Sequence, residues 1–327
     1  MKRLPALFHW LAASAILDWF LLRTVTRVAV HIPRSEAMAV AYQVVSLIGQ
    51  MAGSLTMLLT LAALGWIAWH EWQARQRMVL PIVICGLAAL SLIFLVVAPS
   101  GWLTAANHIL SLTVVVLIIW RLGTPFVRSG INPLSFGAVL VPAAAVVMGL
   151  LYQLIPAWYE MLRWPGPPPA MSLFFHLGEL LVVFSVPVWW AFYGRGASRR
   201  IWLLAAVPAL AFTLSYLRDP AMTGVLAIWS TGLSLYLPWP LYTASLWLIG
   251  VTTATAWRQY RPVSLALLLL LAGGYVPQLS TQLFVSLVAL WLLAEALRAD
   301  RGLSGESRQR ISRVTASPLS ASAVSTE

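Results

Sequence analysis

The sequence predicts an all-α fold, a polytopic transmembrane helical bundle. Of its 327 residues 60% are hydrophobic and only 9% are charged, a balance that a water-exposed surface does not tolerate. The apolar letters fall in repeated blocks of about 18 to 22 residues, the length that crosses a hydrocarbon core of roughly 30 Å. The blocks are separated by short connectors in which arginine is concentrated.

Taken in order, the chain opens with "MKRLPALFHWLAASAILDWF", whose basic start, apolar stretch and Ala-Ser-Ala imitate a secretory signal. His9 interrupts that stretch, and it runs on past the small residues through Trp19 to Leu22, so residues 4–22 are read as a retained first span. Further blocks lie at 37–68, 78–98, 103–120, 134–155, 171–193, 201–217, 222–237, 241–257, 263–276 and 279–297, eleven candidates in all. The tail 301–327 is polar and serine-rich without periodicity, and is expected to be a disordered cytoplasmic extension of a membrane domain covering 1–300.

The net charge of +11 does not imply nucleic acid, because the arginines are scattered between apolar blocks instead of collecting on a polar domain. They serve as topology signals. "HEWQARQR" (70–77), "RLGTPFVR" (121–128), "GRGASRR" (194–200), "RQYRP" (258–262) and the start of the tail belong on the cytoplasmic side. They share one side only if one block fails to cross. The best candidate is 222–237, "MTGVLAIWSTGLSLYL", which is short, carries two glycines and runs into Pro-Trp-Pro. About ten spans with both termini cytoplasmic then satisfy the length rule and the charge rule together, in an integral membrane location, the inner membrane if the source is bacterial. One conflict survives, since "RTVTRVAVHIPR" (23–34) falls outside and would lie along the outer interface.

The loop "PAWYEMLRWPGPPPA" (156–170) should form a stiff cap near the headgroups, and the 17 tryptophans suit interfacial belts. Cys85, the single cysteine, permits no intrachain disulfide and is expected to be a buried apolar residue.

Orientation gives each polar residue a depth. His108 and His176 each lie five residues into a span that starts outside, about 7–8 Å below the boundary. Thr104, Asn107, His108 and Ser111 form one helical stripe; Gln43, Ser46 and Gln50 form another; Ser172, His176 and Glu179, Ser14 and Asp18, and Gln278, Gln282 and Ser286 add three more. Because such groups are costly against lipid, the stripes should face a common polar cavity opening outward, lined by Asp18, Gln43, Asn107, His108, His176, Glu179 and Gln282. Each stripe also has a plain structural use, as hydrogen-bonding glue between helices, or for Asp18 as an ion pair with Arg23 or Arg27.

The first functional expectation is therefore a transporter-like protein handling a small solute or ion, with Glu179 and His176 sharing a proton. It needs no cofactor. The second is haem or a transition metal bound by His108 and His176, as a redox or assembly protein. The third is an enzyme acting on a lipid substrate, for which the outer arginines would form a phosphate rim. No G-x-x-x-x-G-K-[ST] or G-x-G-x-x-G signature occurs, which argues against ATP-driven transport by this chain alone. Expected partners are membrane lipids and the solute or ion; a second copy or a partner subunit is compatible with the stripes.

Overall fold

The structure is a computed structural model that describes residues 5–21, 36–74, 78–96, 101–128, 133–165, 171–193, 203, 205–207, 209–210, 238–255, 257, 261–273 and 283–296. All regular structure among them is helical. The helices are α1 (Ala6–Trp19), α2 (Glu36–Gln73), α3 (Val79–Val96), α4 (Gly101–Arg128), α5 (Pro133–Met161), α6 (Met171–Tyr193), α7 (Pro238–Thr255), α8 (Arg261–Gly273) and α9 (Leu283–Ala296). Three of them contain segments long and apolar enough to cross a membrane: Ala39–Gln73, Gly101–Trp120 and Gly137–Met161. The expected segments 23–34 and 222–237, the residues Gln278 and Gln282, and the tail lie outside the described residues.

Proline marks several helix starts. Pro133 opens α5, Pro238 and Pro240 stand in the first turn of α7, and Pro262 is the second residue of α8. A first-turn residue has no intrahelical acceptor for its N–H, so a ring nitrogen loses nothing there. Pro142, Pro156 and Pro187 instead sit inside α5 and α6, where each removes one ladder bond. Several buried hydroxyls are satisfied within their own helices: Thr60 donates to the Thr56 carbonyl, Ser91 to that of Leu87 and Ser111 to that of Asn107.

Consecutive helices α1 to α6 pack as neighbours, α6 meets α8, and α8 returns to α1, so the neighbour relations close into a ring, with α7 against α6 and α8. Inside it runs α9. Phe284, Val285, Val288, Ala289, Leu290, Leu292 and Leu293 are all fully buried, covering every face of that helix. A helix apolar all round has to be enclosed by protein or by lipid, and here protein encloses it. Gly273 makes the close approach of α8 to α9: a Cβ there would stand 2.9 Å from Ser286 Oγ and 3.2 Å from the Ser286 backbone nitrogen. Gly273→Ala is expected to push the two helices apart at a cost of about 1–3 kcal/mol, read as a lower unfolding midpoint in detergent.

The outer faces carry Trp69, Trp102, Trp120, Leu47, Leu58 and Val207, large apolar side chains that suit lipid contact. Cys85 belongs to that exterior: it is exposed, not buried as its apolar surroundings suggested.

Helices run further than composition implied. The backbone stays helical through 121–128 and through 156–161, both expected as connectors. At 28 residues α4 is about 42 Å long, which carries its arginine-bearing end beyond a hydrocarbon core of about 30 Å. At the end of α5, Arg163 takes a left-handed conformation (φ 52°), with Trp164 N–H donating to Tyr159 O at 3.0 Å and Arg163 N–H to Glu160 O at 3.2 Å. That pair of bonds is a Schellman cap, a position where glycine is the unstrained choice. Arg163→Gly should raise stability by about 0.5–1 kcal/mol, the left-handed strain removed less the extra freedom of the unfolded chain.

Candidate functional site

Three polar centres are enclosed by the described helices. The first lies between α1 and α2. Asp18 is 0% exposed, and neither carboxylate oxygen has a hydrogen-bond partner among the described residues. Its neighbour on α2 is Gly53, where a Cβ would come within 3.5 Å of Oδ1. One turn back on α1, Ser14 meets Thr56 Oγ1 at 2.8 Å. Thr56 already gives its proton to the Ala52 carbonyl at 2.8 Å, so Ser14 is the donor between the two hydroxyls. The expected partners Arg23 and Arg27 lie outside the described residues.

The second centre joins α4 to α5. His108 is 4% exposed and its Nε2 lies 2.8 Å from Gln153 Oε1. An amide oxygen only accepts, so Nε2 donates to it, while Nδ1 is buried with no hydrogen-bond partner among the described residues. Asn107 beside it is equally enclosed, and its Oδ1 is likewise unpartnered.

The third was not anticipated. "HEWQARQR" was expected to be a connector, with His70 at the interface, but α2 continues to Gln73 and Glu71 is 1% exposed. Trp291 of the central helix donates Nε1–H to Glu71 Oε1 at 2.9 Å. Around that bond His70 stacks on Trp66 at 5.0 Å and meets Trp291 edge-on at 5.7 Å, and Phe8 of α1 packs on Trp66 and Trp291. The His70 Nδ1 atom is buried without a partner.

Register separates these centres. Along α2, Asp18 is level with Gly53, whereas Phe8 is level with Trp66, so α1 and α2 are antiparallel. Gln43 is ten residues beyond Gly53, about 15 Å further along the helix, and both it and Gln50 are exposed. They are not gathered with Asp18. Gly101 packs on Met161 and Ala157, while His108 meets Gln153, which makes α4 and α5 antiparallel. Gly178 of α6 packs on Ala145, Met148 and Gly149. Along α5, Gly178 is thus level with about residue 147, and His108 with Gln153, about six residues or 9 Å further on. Positions 176 and 179 are helical; their side chains lie outside the description.

A signal for the missed residues existed. Thr56, Thr60, Leu64, Ile67 and Glu71 recur at helical spacing on one buried face of α2, and Val139, Ala143, Val146, Leu150 and Ala157 mark the face of α5 on which Gln153 falls. The glutamine stripe of Gln43 and Gln50 diverted attention from the first.

Nothing in these centres assembles three metal-ligating side chains among the described residues. The class these observations define is an all-helical protein with apolar exterior faces, compatible with an integral membrane location. Comparison with known protein families, curated proteins and solved structures finds no match to this chain.

Proposed function

We propose that this chain is a polytopic membrane protein of about ten spans, with a re-entrant or interfacial segment near 222–237 and both termini cytoplasmic, that moves a small solute or ion coupled to a cation. Asp18 is the coupling carboxylate. The observation that carries this reading is its enclosure without a hydrogen-bond partner among the described residues. An ionised carboxylate taken out of water costs several kcal/mol, and a site kept at that cost is a functional site by default. A proton or a metal cation removes the cost by neutralising the charge. His176 and Glu179 remain in the proposal as a second titratable pair on α6.

The test needs no knowledge of the solute. Purified protein in proteoliposomes adsorbed on a solid-supported membrane should give a transient current when proton or sodium concentration is stepped. In Asp18→Asn that current is expected to fall by about tenfold or more. An unchanged current would remove Asp18 from the mechanism, and no current in the parent protein would remove the transport reading.

A haem or metal reading draws support from one observation, the buried His108 Nδ1 that has no hydrogen-bond partner among the described residues. With His176 as the other ligand it requires a Soret band or stoichiometric metal in the purified protein, lost in His108→Ala. A colourless, metal-free preparation eliminates it.

A further inference from the structure

Resting on the transport reading, we infer that Asp18 and Ser14, backed by Thr56, form a site for a small hard monovalent cation of the sodium class, and that the proton is not its principal occupant. Three features of the α1–α2 seam lead there. The donor set is oxygen throughout, carboxylate and hydroxyl, which is the chemistry of hard cations and a poor match for zinc or copper. The hydroxyl protons are also spoken for. Thr56 donates to Ala52 O at 2.8 Å and Ser14 donates to Thr56 at 2.8 Å, with Leu11 O a further acceptor for Ser14 at 3.3 Å. Neither hydroxyl donates to Asp18. Ser14 stands one turn before Asp18 on the same face of α1, so its uncommitted lone pairs share the seam with two bare carboxylate oxygens. An arrangement of acceptors without donors is repulsive until something positive enters it.

The third feature is the charge of the seam. One carboxylate matches one positive charge. A divalent ion would require further acidic ligands, and no second carboxylate joins Asp18 among the described residues. On α2, Gly53 lies against the carboxylate, where a Cβ would stand at an ordinary contact distance of 3.5 Å from Oδ1.

The experiment follows thermal unfolding of the purified full chain in detergent while sodium replaces N-methylglucamine at constant ionic strength, with potassium run in parallel. Sodium should raise the midpoint in a saturable manner and more strongly than potassium. The sodium shift should vanish in Asp18→Asn and require about tenfold more sodium in Ser14→Ala. Asp18→Asn should itself fold, since it neutralises the group at nearly constant shape; Ser14→Ala, which keeps Asp18, gives an independent reading. Two results overturn the inference: a sodium shift that persists in Asp18→Asn, which places the ion elsewhere, or no sodium shift in the parent protein. If, in that second case, proton steps still drive an Asp18-dependent current, the site is protonic and the transport reading stands without the sodium site. If neither cation drives one, both fail.

Discussion

Trp291→Ala is expected to cost about 3–5 kcal/mol, a large fraction of the stability of an ordinary domain and the largest loss from any single change considered. The indole is 1% exposed at the crossing of α9 with α1 and α2, so its removal leaves a cavity where the three helices meet. It also takes the Nε1–H donor away from Glu71, a carboxylate enclosed in the same place. The two contributions separate experimentally. Trp291→Phe keeps an aromatic ring but loses the donor and the five-membered ring with it, which should cost about 1–3 kcal/mol. Adding Glu71→Gln to Trp291→Phe should return part of that loss, because the carboxylate charge that the indole N–H met is no longer there. Unfolding in a graded mixture of denaturing and mild detergent, followed by near-ultraviolet circular dichroism, measures all three. If Trp291→Phe matched the parent, the Glu71 bond would contribute nothing to holding α9 in place.

The opposite sign is expected at Asp18. Asp18→Asn should stabilise the protein by about 1–3 kcal/mol in a sodium-free buffer, because a buried carboxylate without a partner is exchanged for a neutral group of nearly the same shape. The same change is expected to abolish cation-driven current. Few residues whose loss disables a protein also make it more stable; those that do are held in a costly arrangement for function. A structural carboxylate behaves like Glu71, where the removal of a partner destabilises. Measuring the unfolding midpoint and the current on one preparation of Asp18→Asn decides between these roles, and a lower midpoint would mark Asp18 as structural.

The contrast between these two carboxylates also marks how far the letters reach. Asp18 and His108 are conspicuous in sequence because each interrupts an apolar block, and a polar side chain in such a block has few places to go. Glu71 has the same burial but sits among His70, Trp72, Gln73 and two arginines, Arg75 and Arg77, so local composition reads as a solvated connector. Its partner is 220 residues away, and no local window contains both. Gln43 shows the converse. It satisfies the helical spacing of a polar stripe and yet is exposed, about 15 Å along α2 from Asp18, because spacing fixes which residues share a face but not how far two helices are offset. The helix ends at 121–128 and 156–161 were missed for a related reason. Gly123, Pro125 and Pro156 weaken a helix locally, while neighbouring helices and an apolar environment that penalises unpaired backbone favour its continuation.

The sequence by itself determined that this chain is helical and apolar on its outer faces, because both follow from the mean character and periodicity of residues close together in the chain. Only the tertiary structure decided that α9 is the enclosed helix, that Trp291 holds Glu71, and that Asp18 has Gly53 beside it and no hydrogen-bond partner among the described residues. Those are contacts between segments far apart in sequence. Their register is set by side-chain packing across the whole bundle, a sum that no single stretch of residues carries.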